Sequence, residues 1–255
     1  YKRGAFHPTC TGAFNPIATS ISPVYNRKAF KITYTKIKKP KINNNECWDA
    51  GGAKVQVINA GHEIRTSYSG AVLLMADPRD MKNPGKAFKS NPFKTLDIDL
   101  LHFGVGPMYG HVGEEGDGND FARAHYEQHM RVEGTLIVEG HEPLSIIGNG
   151  LRDHSWGPRY WQSAKSYRWI TGNFGDDLGF AMTVSSGGAG GVFQRGDKLT
   201  KITKAQLKTD YEDSSYFHKA LTADVFLEDG SEHRICLLYT SDAADDIQCV
   251  DLGRR

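Results

Sequence analysis

The chain has 255 residues, of which 31 are basic and 30 acidic, and its formal net charge at neutral pH is +1. So balanced a charge argues against nucleic acid as a partner, and no apolar run approaches the roughly 18 residues that a membrane-spanning helix needs. We therefore expect neither a nucleic-acid partner nor a transmembrane segment, and the length can bury one large core or two smaller ones.

The chain begins at Tyr1, and no short apolar stretch behind a basic lead follows it. This start lacks the pattern of a signal peptide, and we expect the natural N-terminus to lie upstream of Tyr1. Cysteine usage leaves the compartment unresolved, and a cytoplasmic location is the default prediction.

Alternation of apolar and polar residues dominates the chain, and no window holds an apolar stripe of 3.6-residue period over three turns. The alternation predicts an all-β protein of short antiparallel strands that end at turn residues, a spacing typical of barrels and sandwiches. The predicted strands are residues 30–35, 54–59, 63–67, 71–75, 96–103, 167–174, 179–184, 192–195 and 220–227.

A loop rich in glycine and acidic residues, 104–120, separates two groups of these strands. It does not supply the alternating oxygen ligands and closing glutamate of a calcium loop, so a flexible connector is the preferred interpretation. We expect a domain boundary near Gly118, with an N-terminal half at 1–118 and a C-terminal half at 119–235. Each half is predicted to be an incomplete barrel or curved sheet.

The clearest single strand pattern covers residues 121–139, where the even positions are nearly all apolar and the odd positions carry the charges. A strand of this length would span roughly 60 Å, so we expect a bend or bulge, with Gly134 as its site. The charged face is predicted to be a solvated one with cross-strand ion pairs. The alternative is a polar barrel interior, in which His125, Glu127 and His129 would contact a ligand.

The segment from Gly148 to Trp161 concentrates charged and aromatic residues next to glycines, and its centre reads Arg-Asp-His-Ser-Trp-Gly from Arg152. In an extended chain Arg152, His154 and Trp156 share one face. A histidine beside an indole, next to glycines that permit close backbone approach, is typical of a pocket. The alternative is structural, with an Arg-Asp pair bracing a barrel mouth and the tryptophans filling the core.

The last part of the sequence, 236–255, resembles the conceptual translation of a sequencing adapter read through in frame. We expect it to be non-native and exclude it from the prediction of the fold. Cys10 and Cys47 then remain as cysteines, and two cysteines make neither a disulfide framework nor a zinc-binding spacing. No metal site is predicted.

Three stretches carry a resemblance to a known family: the one starting at Phe121 (Phe-Ala-Arg-Ala-His-Tyr-Glu-Gln), the one starting at Gly150 (Gly-Leu-Arg-Asp-His-Ser-Trp-Gly-Pro-Arg), and the one starting at Tyr167 (Tyr-Arg-Trp-Ile-Thr-Gly-Asn-Phe-Gly-Asp-Asp). They resemble a bacterial family with an R-D-H-S-W-G signature. Its Asp-His-x-Trp-Gly core is similar to that of the hydroxyneurosporene synthase (carotenoid 1,2-hydratase) and AttH-like superfamily. The resemblance implies two lipocalin-like antiparallel barrels and a hydratase or cyclase that acts on isoprenoid or polyketide-like compounds.

The resemblance also implies site residues. It assigns His154 and Trp156 to the active site and places Asp153 beside them. A further tyrosine and aspartate of the hydratases have Tyr167, Asp176 and Asp177 as their candidates in this sequence.

Two functions follow from these residues. In the first, the protein is a hydratase or isomerase in which Asp153 or His154 protonates an alkene of a bulky hydrophobic substrate, and Trp156 stabilises the carbocation. This chemistry needs no metal, nucleotide or flavin, and the sequence carries none of their motifs. In the second, the protein only binds a hydrophobic ligand, and Arg152 or Arg159 pairs with a carboxylate on it.

Overall fold

The computed structural model describes residues 42–44, 46–75, 80, 83–112, 124–156, 166–211, 218–238 and 248–251. In these residues the fold is all-β, with two strongly curled antiparallel sheets, each a half-barrel, and one short helix. The all-β prediction is therefore confirmed. The predicted strand at 30–35 and the predicted boundary near Gly118 lie outside the described residues.

The first sheet has eight strands among the described residues, and its order is β1-β2-β3-β4-β5-β7-β6, with β8 paired to β7. Strands predicted separately at 63–67 and 71–75 form one continuous strand, β4. The strands are β1 (Ile42–Asn43), β2 (Cys47–Ala50), β3 (Ala53–Asn59), β4 (Glu63–Leu73), β5 (Phe93–Gly104), β6 (Tyr109–Val112), β7 (Ala124–Val138) and β8 (Leu144–Trp156).

The second sheet is a meander of seven strands in the described part of the chain, and each strand pairs with its neighbour in sequence. Its strands are β9 (Tyr167–Asn173), β10 (Leu178–Ser185), β11 (Gly188–Arg195), β12 (Lys198–Tyr211), β13 (His218–Leu227), β14 (Glu232–Leu238) and β15 (Gln248–Asp251). Strand β14 extends to Leu238, which pairs with Ala220 of β13, and so enters the segment that the sequence analysis excluded.

One helix, α1 (Pro84–Ser90), interrupts the first sheet between β4 and β5. The side chain of Asn83 accepts a hydrogen bond from the backbone N–H of Lys86, and Pro84 occupies the first turn, where a missing N–H costs nothing. Seven residues are too few to show a helical period, so the sequence did not predict this helix. The described part of the chain has no helix that is long and apolar enough to cross a membrane.

By its internal contacts the chain divides into two compact units, and neither is continuous in sequence. Unit 1 comprises Tyr1–Val105 and Gln128–Asp153, and unit 2 comprises Gly106–Glu127 and His154–Arg255. Strands β7 and β8 therefore each contribute residues to both units. The sequence, in contrast, predicts two continuous halves.

Unit 1 has its core on one face of the first sheet. The buried side chains Val72, Leu96, Leu136 and Val138 pack together there, with Tyr68, Ile98 and Ile146 around them. On the same face, Nε2 of His102 lies 2.7 Å from the hydroxyl of Thr66, so these two side chains form a polar pair. Burial lowers the pKa of His102 to about 4, so this imidazole is neutral inside the folded unit at neutral pH.

The core of unit 2 is formed by side chains from the strands of the second sheet. The core consists of Phe180, Met182, Phe193, Ile202, Leu221, Ala223, Val225, Leu227 and Ile235, none more than 6% exposed. On the other face of the sheet, Gln194 is buried as well, and a Cβ on Gly106 would lie 2.1 Å from its amide nitrogen. The segment that begins at Gly106 therefore covers part of this second face.

Strand β7 follows the predicted alternation over only part of its length. From Met130 to Val138 the even positions are buried or half-buried and the odd positions are exposed, so the solvated face is confirmed there. At Glu127, Gln128 and His129 three consecutive side chains are buried, so the alternation breaks where the chain passes from unit 2 to unit 1.

The pairing shows no bulge at Gly134, so this part of the prediction of a bend or bulge is wrong. The pairing between β5 and β7 runs without a register shift from Leu96 opposite Val138 to Gly104 opposite Met130. A Cβ on Gly134 would lie 2.1 Å from the backbone oxygen of Asp99, so the glycine permits a close approach of the two backbones instead.

Candidate functional site

The candidate site is built on the β6–β7 ribbon, which consists of β6 and the part of β7 paired with it in unit 2. His111 pairs with His125 across the ribbon, and Tyr109 pairs with Glu127. Residues directly opposite each other in an antiparallel pair lie on the same side, and successive residues of a strand alternate. His111, His125 and Glu127 therefore share one side of the ribbon, and Tyr126 lies on the other.

Gly110 is required at the centre of this ribbon. It pairs with Tyr126, and a Cβ on Gly110 would lie 2.0 Å from the backbone oxygen of His125. Because a backbone atom cannot be displaced as a flexible side chain can, no larger residue fits at this position. The glycine thus holds His111 opposite His125.

Glu127 is the buried acid of the site, with 5% of its surface exposed. Its Oε1 atom accepts a hydrogen bond of 2.9 Å from the indole N–H of Trp169 and lies 3.3 Å from Nε2 of His125. A buried carboxylate requires donors or positive charge to replace its lost water. The indole supplies a neutral donor, and His125 supplies charge when it is protonated.

On the other side of β7, the Tyr126 hydroxyl lies 3.3 Å from Nδ1 of His154 on β8. The two rings meet edge to face, with their centroids 5.3 Å apart and their planes at 74°. The His154 side chain is exposed, whereas Tyr126 is half-buried. The half-buried tyrosine therefore contacts one nitrogen of an imidazole that solvent and small molecules can reach.

The family model that matches this chain is described as a domain of unknown function, DUF7064, and it covers residues 16–241. The chain belongs to the DUF7064 family. None of the curated proteins, and none of the solved structures, matches it. The DUF7064 match includes all of the candidate residues, and it extends beyond Leu238 at the end of β14.

In this DUF7064 chain, the Arg-Asp-His-Ser-Trp segment lies on β8, which runs as one strand through Gly148 and Gly150 to Trp156. Arg152 and His154 therefore point to one side of the strand and Asp153 to the other. Arg152 and Asp153 are half-buried. Trp156 belongs to the strand, but its side chain lies outside the described part of the structure.

The remaining predicted site residues are spread over the DUF7064 fold. His125 and Glu127 belong to unit 2, whereas His129 belongs to unit 1 and is 1% exposed. Asp176 and Asp177 are exposed in the turn between β9 and β10. Arg159 and the side chain of Tyr167 lie outside the described residues.

Sequence reasoning missed three residues of the site. Tyr126 was counted with the apolar face of its strand, and its hydroxyl contact with His154 has no signal in either segment alone. His111 lies in the glycine-rich stretch that was interpreted as a connector. Trp169 stands inside the stretch that starts at Tyr167, but period-2 patterning cannot show that its indole meets Glu127.

Proposed function

We propose that this DUF7064 protein is a hydratase or isomerase that protonates an alkene in a bulky hydrophobic substrate, with His154 as the proton donor. The observation that carries the proposal is the contact between the Tyr126 hydroxyl and Nδ1 of His154. General acids in enzymes are held by a second group that fixes their orientation, and here Tyr126 supplies that group.

His154 suits this role better than Asp153, the other acid that the sequence offers. Its side chain is exposed, so a substrate can reach it, whereas Asp153 is half-buried and points to the opposite side of β8. Imidazole exchanges protons near neutral pH without further tuning. Since Tyr126 engages Nδ1, the proton exchanged with the substrate is assigned to Nε2, and Tyr126 is a positioning residue.

The reaction begins when protonated His154 transfers its Nε2 proton to one carbon of the double bond. The π electron pair forms the new C–H bond, and the adjacent carbon becomes a carbocation. In a hydratase, the oxygen of water bonds to this carbon, and the neutral imidazole takes the proton that the water releases. In an isomerase, the imidazole removes a proton from a neighbouring carbon, and the double bond forms at a new position.

A hydrophobic substrate is proposed from the resemblance. The similarity of the Asp-His-x-Trp-Gly core to that of the hydroxyneurosporene synthase and AttH-like superfamily implies isoprenoid-like compounds. Aromatic faces stabilise a carbocation by their π electrons, and Trp156 on β8 is the residue proposed for this role.

The interior of unit 2 supports an enzyme over a simple lipocalin-like carrier. A carrier holds its ligand inside the curled sheet, and such a site requires an open apolar interior. In unit 2 that face is packed with the sheet's own side chains, including Phe180, Met182 and Ile202, each at most 1% exposed. A site on β7 and β8 lies outside this core. It fits an enzyme that acts on a substrate at the protein surface better than a carrier that encloses its ligand.

The test uses a panel of isoprenoid, sterol and unsaturated fatty-acid alkenes, incubated with the full chain and analysed by mass spectrometry. We expect at least one compound to be hydrated or isomerised. His154→Ala should reduce its turnover at least a hundredfold, and Tyr126→Phe about tenfold, because the ring stays but the hydroxyl is lost.

The matched control is His141→Ala, which removes an exposed histidine from the loop between β7 and β8. It should leave turnover unchanged, and all three variants should melt within a few degrees of the parent protein. Turnover that survives in His154→Ala, or losses of turnover and melting temperature in equal proportion, would count against the proposal.

A further inference from the structure

We propose that His111, His125 and Glu127 form a binding site for a divalent transition-metal ion on the β6–β7 ribbon. The site does not include His154 or Tyr126 of the proposed function, because its three residues lie on the side of β7 opposite to Tyr126. It also departs from the sequence analysis, which predicted no metal site from the cysteine spacing.

The pairing register places the three side chains on one side of the β6–β7 ribbon, and the ligand atoms of His125 and Glu127 lie close together there. His111 and His125 are directly opposite each other, and Glu127 follows His125 by two residues on the same side. Two imidazoles and one carboxylate on one face are the ligand set of His₂Glu zinc sites and of facial triads that leave coordination positions open. One ligand on β6 and two on β7 are brought to the same side only by strand pairing, so the set has no signature in the linear sequence.

The distance between two of the ligand atoms fits a shared cation. Nε2 of His125 lies 3.3 Å from Oε1 of Glu127. Two ligands bonded to one zinc ion at about 2.1 Å, at a tetrahedral or octahedral angle, stand about 3.0 to 3.4 Å apart. A cation can therefore be added between these two atoms without moving either strand.

His111 can complete the set by rotation of its side chain. Its ring centroid lies 6.2 Å from that of His125, and the two ring planes are inclined by 52°. The side chain is exposed, and a change of its rotamer would turn a ring nitrogen towards His125 and Glu127. The solvent side of the site, where His111 lies, would also be the path by which the ion enters.

The surroundings of Glu127 are those of a metal ligand. Its carboxylate is 5% exposed and accepts the indole N–H of Trp169 at 2.9 Å. Carboxylates that bind metals are commonly fixed by such a second hydrogen bond. A divalent ion would supply, at every pH, the positive charge that His125 supplies only when it is protonated.

The donor atoms select the kind of ion. Imidazole nitrogen favours zinc, iron, cobalt and nickel, whereas calcium and magnesium prefer sites made only of oxygen. We therefore expect Zn²⁺ and Co²⁺ to bind, and Mg²⁺ and Ca²⁺ not to compete at millimolar concentration.

The experiment is titration calorimetry of the metal-stripped full chain with Zn²⁺, together with visible absorption spectra after addition of Co²⁺. The proposal expects one saturable site and a d–d spectrum of nitrogen and oxygen ligation. His111→Ala and His125→Ala should each weaken Zn²⁺ binding at least tenfold, as should Glu127→Gln. His62→Ala and His141→Ala, which remove exposed histidines from turns, are the matched controls and should bind as the parent does.

Because Glu127 is buried, its variant can lose binding through misfolding, whereas His111 is exposed and its variant should fold normally. The decisive comparison is therefore between His111→Ala and the two turn controls, with circular dichroism verifying the fold of each. Absence of saturable Zn²⁺ binding, or Zn²⁺ binding by His111→Ala as tight as that of the controls, would overturn the proposal.

Discussion

The indole N–H of Trp169 on β9 donates a hydrogen bond of 2.9 Å to Oε1 of Glu127 on β7. Through this bond a buried carboxylate of the ribbon is fixed to the edge strand of the second sheet. A hydrogen bond to a charged group stabilises a fold by about 1.5 to 3 kcal/mol, and more is lost when the buried partner remains unsatisfied.

Trp169→Phe should therefore lower the free energy of unfolding by about 1.5 to 3 kcal/mol, because the ring is kept and the donor is lost. Urea denaturation measures this change in the parent chain and in a Glu127→Gln background. In the Glu127→Gln background the loss should be smaller by about 1 kcal/mol or more. Strictly additive effects of the two substitutions would show that the two side chains do not interact in solution.

A second prediction concerns the close approach of β7 to β5 at Gly134. Gly134→Ala should destabilise the fold by about 2 kcal/mol or more, because the new Cβ would meet the Asp99 backbone oxygen at 2.1 Å. Gly148→Ala is the matched control on the neighbouring strand, since no atom lies within 4 Å of its Cβ position. Thermal melts should place the control within about 0.5 kcal/mol of the parent, and similar losses in both variants would contradict this packing.

The third prediction is a pH dependence of stability that arises from His102. Burial lowers its pKa from 6.5 to about 4, so the unfolded chain binds the proton at a higher pH than the folded chain does. The contribution of the neutral imidazole is fully present above pH 6.5 and is lost as the pH falls towards 4. At pH 4 this loss should amount to about 2 to 3 kcal/mol.

His102→Gln keeps a polar partner for Thr66 but cannot be charged. Its free energy of unfolding should fall less steeply between pH 6.5 and pH 4 than that of the parent, by the amount attributed to His102. His62→Gln, at an exposed turn, should follow the parent curve. Parallel curves for His102→Gln and the parent would rule out this assignment.

The sequence predicted the fold class because period-2 patterning reflects a strand with one buried face, as in β13, where buried and half-buried residues alternate from Leu221 to Leu227. It did not predict that β7 and β8 contribute residues to two units, because residue patterning predicts strands and does not show in which unit each part of a strand packs. Likewise, the prediction that the charged face of β7 is exposed to solvent was correct only from Arg131 onwards.

The candidate site was predicted in part. His154, His125 and Glu127 were named from charge and aromatic content, which a single segment reveals. Their partners Tyr126, Trp169 and His111 were not, because each contact joins residues that are far apart in sequence or on different strands. Pairing register decides such contacts, and local patterns do not contain it.

The most direct test of the central claim, proton transfer from His154 to carbon, is incubation of the alkene panel with the full chain in D₂O. Protonation from a deuterated imidazole places deuterium on carbon, where later exchange with water cannot remove it, and this holds for a hydratase and an isomerase alike. The account predicts deuterium in the recovered product with the parent chain and with His141→Ala, and at least a hundredfold less with His154→Ala. Deuterium incorporation that is equal in His154→Ala, or absent from every compound with the parent chain, would contradict it.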